Sequence, residues 1–220
     1  MSKLLDALNN TVSTSSVNCA WTTEDPLYVE YHNNAWGRPV LDSQELFAKL
    51  CLDGQQAGLS WLTILKKQRT YEQAYANFNP QTISRFTQDD VDSLMLNTGI
   101  VRNKLKIQSV IKNAKGFLEI EKEMPFNQFI WQFTQFQIVQ NKWQDRKQVP
   151  TTSQQSDAMS KALKTAGFSF VGSTICYAFM QAVGMVNDHI VSCPCHAVIT
   201  QPSQQVRIRL SSLAAQAKAN

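Results

Sequence analysis

Four stretches of the chain carry the same local signal: a short oxygen-bearing side chain, then apolar residues spaced three and four apart. Asp42-Ser-Gln-Glu45 precedes Leu46, Phe47, Leu50 and Cys51, and Ser60 precedes Trp61, Ile64, Leu65 and Tyr71. Thr87-Gln-Asp-Asp90 opens a segment reaching Asn97, and Ser156 opens one over Asp157 to Ala166. Such side chains accept bonds from the unpaired amides at a helix start, and the spacing puts the apolar residues on one face. Gly99 and Gly167 stand just beyond two of these segments, where a helix commonly ends. The first helix is expected to stop before Asp53-Gly54-Gln55-Gln56, leaving Asp53 at a helix-to-loop break. Asn79-Pro80 ends the second. A basic helix runs from Arg102 to about Phe117, Pro125 opens a short aromatic one, and a buried helix covers Ser173 to Met185. No stretch reads as a strand, and 8 Gly and 7 Pro are too few for a turn-dense β sandwich or barrel. The expected fold is all-α with at least six helices.

Of 220 residues, 43% are hydrophobic and 17% charged, which excludes wholesale disorder. Residues 1–17 read as a flexible tail, 18–200 as one domain and 201–220 as a C-terminal extension. Nine Gln between Gln128 and Gln155 mark a surface excursion in the second half of that span. The longest apolar run, Ile175 to Val186, is broken by Gln181 and falls short of a membrane span. The start of the chain lacks the pattern of a secretory signal, so a cytoplasmic location and no membrane partner are expected. Five cysteines, an odd number, argue against a disulfide framework. The net charge of +4 is compatible with a polyanion partner without requiring one.

Three constellations carry chemistry. Cys19 and His32 lie near the start, and His189 and Cys193 form an H-x₃-C pair near the end. Two Cys and two His make a closed tetrahedral set for a structural Zn²⁺, which would tie the two ends together. The same residues also suit ordinary burial, and Cys195 and His196 are close enough to compete as ligands. A zinc deaminase is excluded, because no H-x-E occurs. Second, Thr98-Gly99-Ile100 leads into Arg102, Lys104 and Lys106, and Arg102 to Lys115 holds five basic and no acidic residues. Gly99 can adopt positive φ, leaving turn amides and a helix N-terminus for a phosphate. That is the pattern of a helix-hairpin-helix gripping DNA backbone, against the alternative of a solvated basic face. Third, Trp21, Tyr28, Tyr31, Trp36 and Trp61 cluster around irregular sequence, with Asp53 nearby. They suit either a stacking pocket for a planar cation or a small core around the metal.

Taken together, the segments Cys19-Ala-Trp21, Asp25-Pro-Leu-Tyr28, Tyr31-His32-x-Asn34-x-Trp36-Gly37, Gly54-Gln-Gln-Ala-Gly-Leu-Ser-Trp61, Phe170-Val-Gly-x-Thr-Ile-Cys-Tyr177 and Val186-Asn-Asp-His189 resemble the bacterial 3-methyladenine DNA glycosylase I family. The resemblance spans about Cys19 to Cys195. It implies an all-α helix-hairpin-helix glycosylase fold with one structural zinc on Cys19, His32, His189 and Cys193. It implies an alkylated-base pocket of Trp21, Tyr28, Tyr31 and Trp61, with Asp53 as its carboxylate. Gly58 and Leu59 fall on the loop that probes the gap left in the duplex, and Thr98, Gly99, Arg102, Lys104 and Lys106 on the DNA backbone contact. The implied activity is hydrolysis of the N-glycosidic bond of 3-methyladenine in alkylated double-stranded DNA. The product is the free base, and the expected agent is a monomer in a bacterial cytoplasm, on the nucleoid when acting on DNA. None of the pocket motifs holds a lysine for a Schiff base, so a monofunctional enzyme without lyase activity is expected. A protein that binds lesions without catalysis is the alternative, because the family usually has Glu where this chain has Asp53. The shorter side chain falls roughly 1–1.5 Å short. Ala35 replaces a common acidic residue beside Trp36.

Overall fold

The computed structural model describes residues 19–219. The tail expected over residues 1–17 lies outside them. The helices run in order α1 (Pro26–Asn34), α2 (Ser43–Gln56), α3 (Trp61–Ala74), α4 (Pro80–Ile83), α5 (Gln88–Leu96) and α6 (Lys104–Glu123). They continue with α7 (Phe126–Trp131), α8 (Gln154–Thr165), α9 (Ser173–Ala182), α10 (Pro194–Thr200) and α11 (Gln204–Ala219). The expected helical fold holds. The one departure among the described residues is a two-residue parallel pairing of β1 (Val139–Gln140) with β2 (Val186–Asn187), too short to read from periodicity.

Most starts are where the oxygen-bearing side chains put them. Asp42 accepts from the Glu45 amide, Ser60 from Thr63, and Thr87 forms a capping box with Asp90. The fourth start is earlier than expected: Ser153, not Ser156, caps α8, and Ser156 is the buried second half of that box. Both serines satisfy the local rule, and burial of Ser156 beneath Ser173 selects between them. Gly167 (φ +89°) closes α8 in a Schellman turn: its amide bonds to Lys164 O and that of Phe168 to Leu163 O.

Helix α2 is the centre of the molecule, packed by α3, α6, α7 and α9. It runs through Asp53 to Gln56 rather than stopping short of it. Every residue from Leu46 to Gln55 is buried, so the polar Asp53-Gly54-Gln55 run, which reads locally as a break, is held helical by tertiary partners. Gln55 donates to the Lys106 carbonyl at 3.0 Å, and the Lys106 ammonium returns a bond to the Gln55 carbonyl at 2.7 Å. Gly54 lets the backbone of Phe170 approach, where an added Cβ would meet Phe170 O at 3.3 Å. Burial of Leu46, Phe47, Leu50 and Leu52 contributes on the order of 1.5–3 kcal/mol each. The C-terminal α11 docks on α7 through Leu210 and Leu213.

Helix α6 begins two residues later than expected, capped by Asn103, and extends to Glu123. Gly116 sits inside it. Ala at an exposed mid-helix Gly gains about 1 kcal/mol from propensity, but here a Cβ would stand 2.6 Å from the Ala166 carbonyl and 2.7 Å from the Phe168 ring. Backbone cannot retreat, so the clash outweighs the propensity gain. Gly116→Ala is expected to lower unfolding stability by about 1–3 kcal/mol in urea melts; a rise would refute the close packing of α6 against the α8 turn.

Candidate base pocket and metal site

Segment 19–36 reaches across the molecule to the last third of the chain. Asp25 caps α1 by accepting from the Leu27 amide, and its second oxygen pairs with Lys66 of α3 at 2.6 Å. That leaves one face of α1 turned inward, with Tyr28, Tyr31 and the buried His32. The rings interlock edge to face: Trp21 lies 5.1 Å from Tyr28, 6.4 Å from Tyr31, 5.2 Å from His32 and 5.0 Å from Trp36. Tyr31 in turn lies 5.4 Å from Trp61.

The rings do not close on themselves. They line a cavity of about 320 Å³ whose wall includes Trp21, Tyr28, Tyr31, Asp53 and Trp61, at the small end of ligand pockets. The indole N–H groups of Trp21 and Trp61 and one oxygen of Asp53 are buried without a partner. Unsatisfied buried polar atoms are costly, and three of them around one hollow suit a polar, planar guest. Burial pushes the Tyr31 hydroxyl well above its ordinary value, so it stays protonated.

All five rings line the cavity, and Trp36 also meets a second cluster edge to face, 4.6 Å from His189. That cluster is Cys19, His32, His189 and Cys193, all buried, with their ligand atoms within 4.8 Å of one another, and it could hold a metal ion. Cys19 Sγ lies 3.3 Å from His189 Nδ1, and Cys193 Sγ lies 3.6 Å from His189 Nδ1 and 3.8 Å from His32 Nε2. The outer ring nitrogens have their own partners: His32 Nδ1 at 2.8 Å from Asn33 Oδ1 and His189 Nε2 at 3.4 Å from the Trp36 carbonyl. Those contacts aim each lone pair at the sulfurs. Bonds from Cys19, then Cys195 and the two histidines, pull the Cys193 thiol down, while the same contacts with Cys193 push the Cys19 and Cys195 thiols up. Cys195 stands outside the group, its Sγ 3.8 Å from the Asn33 carbonyl, and His196 bonds to the Asn141 carbonyl at 2.9 Å.

Three wall elements escape sequence reasoning. Lys49, one turn before Asp53, is buried, pairs with Asp53 Oδ1 and lies 3.9 Å from the Trp61 ring centroid. The pocket therefore holds a lysine, although no pocket motif does. Its ammonium is engaged by the carboxylate and the ring. Asp188 is buried in the wall and accepts four bonds, from Asn141, Trp143, Tyr177 and Gln181, at 2.6–2.8 Å. Arg146, Val149, Pro150 and Thr151 come from the Gln-rich excursion. That surface segment thus serves the cavity, and Trp143 amid polar sequence was its one visible signal.

Just beyond α2, Gly58 (φ +76°) has open space where a Cβ would stand, and Leu59 is 40% exposed. They form the turn between Gln56 and Trp61, which both line the cavity.

The hairpin of α5 and α6 carries Thr98, Arg102 and Lys104 exposed at its turn. Two expectations about it are corrected. Gly99 does not take positive φ; glycine is required because a Cβ would meet Thr70 at 2.2 Å. Several turn amides are already bonded, Gly99 to Asn97 Oδ1 and Val101 to the Tyr71 hydroxyl. Lys106 does not face outward. It is 6% exposed and its ammonium donates to the carbonyls of Gln55 and Ala57 at 2.7 Å each, capping the end of α2. Charge count alone cannot separate a phosphate-seeking lysine from one that satisfies a helix end.

The family model for methyladenine glycosylase matches residues 21–196. The chain belongs to the methyladenine glycosylase family. DNA-3-methyladenine glycosylase of Haemophilus influenzae is 47% identical over 178 residues, 80% of this chain and 96% of that protein. A crystal structure of 3-methyladenine DNA glycosylase I superposes with a TM-score of 0.81 at 48% identity, covering 82% of this chain and all of the other. A Staphylococcus aureus structure on 3-methyladenine recognition gives 0.79 at 37% identity, over 80% and 94%. In this member of the family Lys106→Met should strand two carbonyls and cost about 1–3 kcal/mol of stability. Thermal denaturation checks this, and an unchanged melting temperature with weakened DNA binding would return Lys106 to the DNA face.

Proposed function

We propose that the cavity receives an N3-methylated adenine swung out of duplex DNA and that water then hydrolyses its glycosidic bond. The chain is a base-excision repair glycosylase, a hydrolase of N-glycosyl bonds, by its family and close relatives. The observation that carries the finer reading is the hollow of about 320 Å³ walled by five rings and the half-free carboxylate of Asp53.

Flipping costs least for a damaged base. Methylation at N3 leaves the attached base cationic, so it departs with the bonding pair as a neutral molecule while water adds to C1′. Trp61, Tyr28, Tyr31 and Trp21 stack on or flank the ring, worth roughly 1–3 kcal/mol per stacked base. Asp53 Oδ2 accepts from the exocyclic amino group. Because Asp53 sits in the last turn of a helix held by Lys106 and Gly54, the carboxylate is fixed in place, and its short reach is a property of the pocket's depth. The engaged ammonium of Lys49 leaves no free amine for a Schiff base, which supports a monofunctional enzyme. Leu59 on its glycine hinge is the wedge for the vacated stack, and Thr98, Gly99, Arg102 and Lys104 lie against the backbone. Within residues 18–200, then, one monomeric unit in the cytoplasm acts on alkylated double-stranded DNA. Among the described residues no helix is long and apolar enough to cross a membrane.

Methylated DNA incubated with the protein should release free 3-methyladenine by mass spectrometry, with strand breaks only after alkali. Asp53→Asn and Trp61→Ala should each cut kcat/KM by about 10–100-fold, or about 1.4–2.7 kcal/mol of transition-state stabilisation. Salt-dependent binding with no released base would favour the non-catalytic alternative.

The metal we assign to Cys19, His32, His189 and Cys193 is one structural Zn²⁺. Zn–S and Zn–N bonds of about 2.3 and 2.0 Å imply tetrahedral ligand separations of roughly 3.3–3.8 Å, and the three contacts above run from 3.3 to 3.8 Å. Four protein ligands leave no position for water, so the ion supplies folding energy, not chemistry. Elemental analysis should find one zinc per chain, and Cys193→Ala should lose it together with at least about 3 kcal/mol of stability. Full zinc content in that variant would mean Cys195 ligates instead.

A further inference from the structure

Asp53 is a divided carboxylate. Oδ1 is taken by the Lys49 ammonium, and Oδ2 is buried without a partner on the cavity wall. Lys49 is itself 6% exposed, held between Asp53 and the face of Trp61. Lysine is almost never buried unless paired, and removing one member of a buried pair leaves the other uncompensated. The arrangement therefore gives the lysine a use beyond filling space. Its charge and its position both act on the one side chain that faces the base.

Resting on the reading that this cavity takes the flipped base, we propose that Lys49 is a positioning residue. It keeps Asp53 ionised and fixes its rotamer, so that Oδ2 is the single free acceptor for the base's amino group. The short Asp side chain makes that anchoring necessary, since a carboxylate with both oxygens free in this wall could rotate about its last bond. The same ammonium covers one face of Trp61, so the base must stack without help from that face.

The other ionisable groups around Asp53 do not offer the same service. Burial, with the Asp53 charge adding to it, pushes Cys51 on α2, Cys176 on α9 and Tyr31 on α1 up, so all three stay neutral and bring no positive charge to the carboxylate. Lys106 of α6 is committed to the carbonyls of Gln55 and Ala57, and Arg146 of the wall donates to the Ala20 carbonyl. Asp188, across the wall, has four donors of its own. Burial pushes the Asp53 carboxyl up and Lys49 pulls it down. Without the lysine only the upward push is left. The carboxyl would then bind its proton at a higher pH, and the acceptor would be lost as pH falls through that value.

The test is a ¹³C NMR titration of the Asp53 side-chain carboxyl in the free protein, identified by its absence in Asp53→Asn. It is run on the wild type, Lys49→Gln and Lys49→Met. Both variants should move the Asp53 midpoint up by at least about one pH unit. Their release of 3-methyladenine should fall about tenfold near pH 6 and recover as pH rises. Lys49→Gln keeps a polar group of similar length and decides the matter if Lys49→Met does not fold. A midpoint unmoved in the folded variants, or release reduced by the same factor at every pH, would overturn the proposal. Because the titration needs no substrate, a wild type that released no base would sink the functional reading alone and leave the Lys49 result standing.

Discussion

The contact between the two ends of the chain governs the rest. Cys19 and His32 meet His189 and Cys193 within 4.8 Å, and three of the four have a cavity-lining residue within two positions. Tyr31 precedes His32, Trp21 follows two residues after Cys19, and Asp188 precedes His189. Ring contacts from Trp21 to His32 and from Trp36 to His189 join the cluster to the cavity without a break. Segment 19–36 has one short helix with one fully buried side chain, so its place in the fold depends on that tether and on the Asp25–Lys66 pair. A loop closed over more than 150 residues is entropically expensive, although the cost grows only with the logarithm of length.

Against this tethered half stands a rigid one. Helix α2 is buried along ten consecutive residues, and its polar members are placed in pairs: Gln55 with Lys106, Asp53 with Lys49. Such interior polar groups stabilise only when satisfied, and a half-satisfied network is worse than an apolar one. Among the buried polar atoms left without a partner, Asp53 Oδ2 and the indole nitrogens of Trp21 and Trp61 belong to residues that line the cavity.

Much of this was legible in the residues. The caps Asp42, Ser60 and Thr87 and the buried faces of α2 and α3 follow from local chemistry that needs no tertiary knowledge. The Cys/His cluster and the aromatic group were visible in sequence as an ambiguous pattern, to which the family resemblance gave expected roles. Three things were hidden for physical reasons. The continuation of α2 through Asp53-Gly54-Gln55 depends on bonds from residues fifty positions away. Lys106 and Lys104 look alike in sequence, yet α6 turns one toward Gln55 and leaves the other in water. Lys49 belongs to an ordinary amphipathic stretch, and only the arrival of Trp61 on its helix face shows that it stands in a pocket wall.

Asp188 has a consequence of another kind. Together with Arg146 and Pro150 it belongs to the part of the wall encoded late in the message, while Trp21 and Tyr28 are encoded early. Ribosomes deliver the chain over many seconds, so an unfinished polypeptide carries flat rings but has no hollow around them. The rings are therefore made first, and the facing wall with Gln181, Asp188 and Ile190 follows more than a hundred residues later.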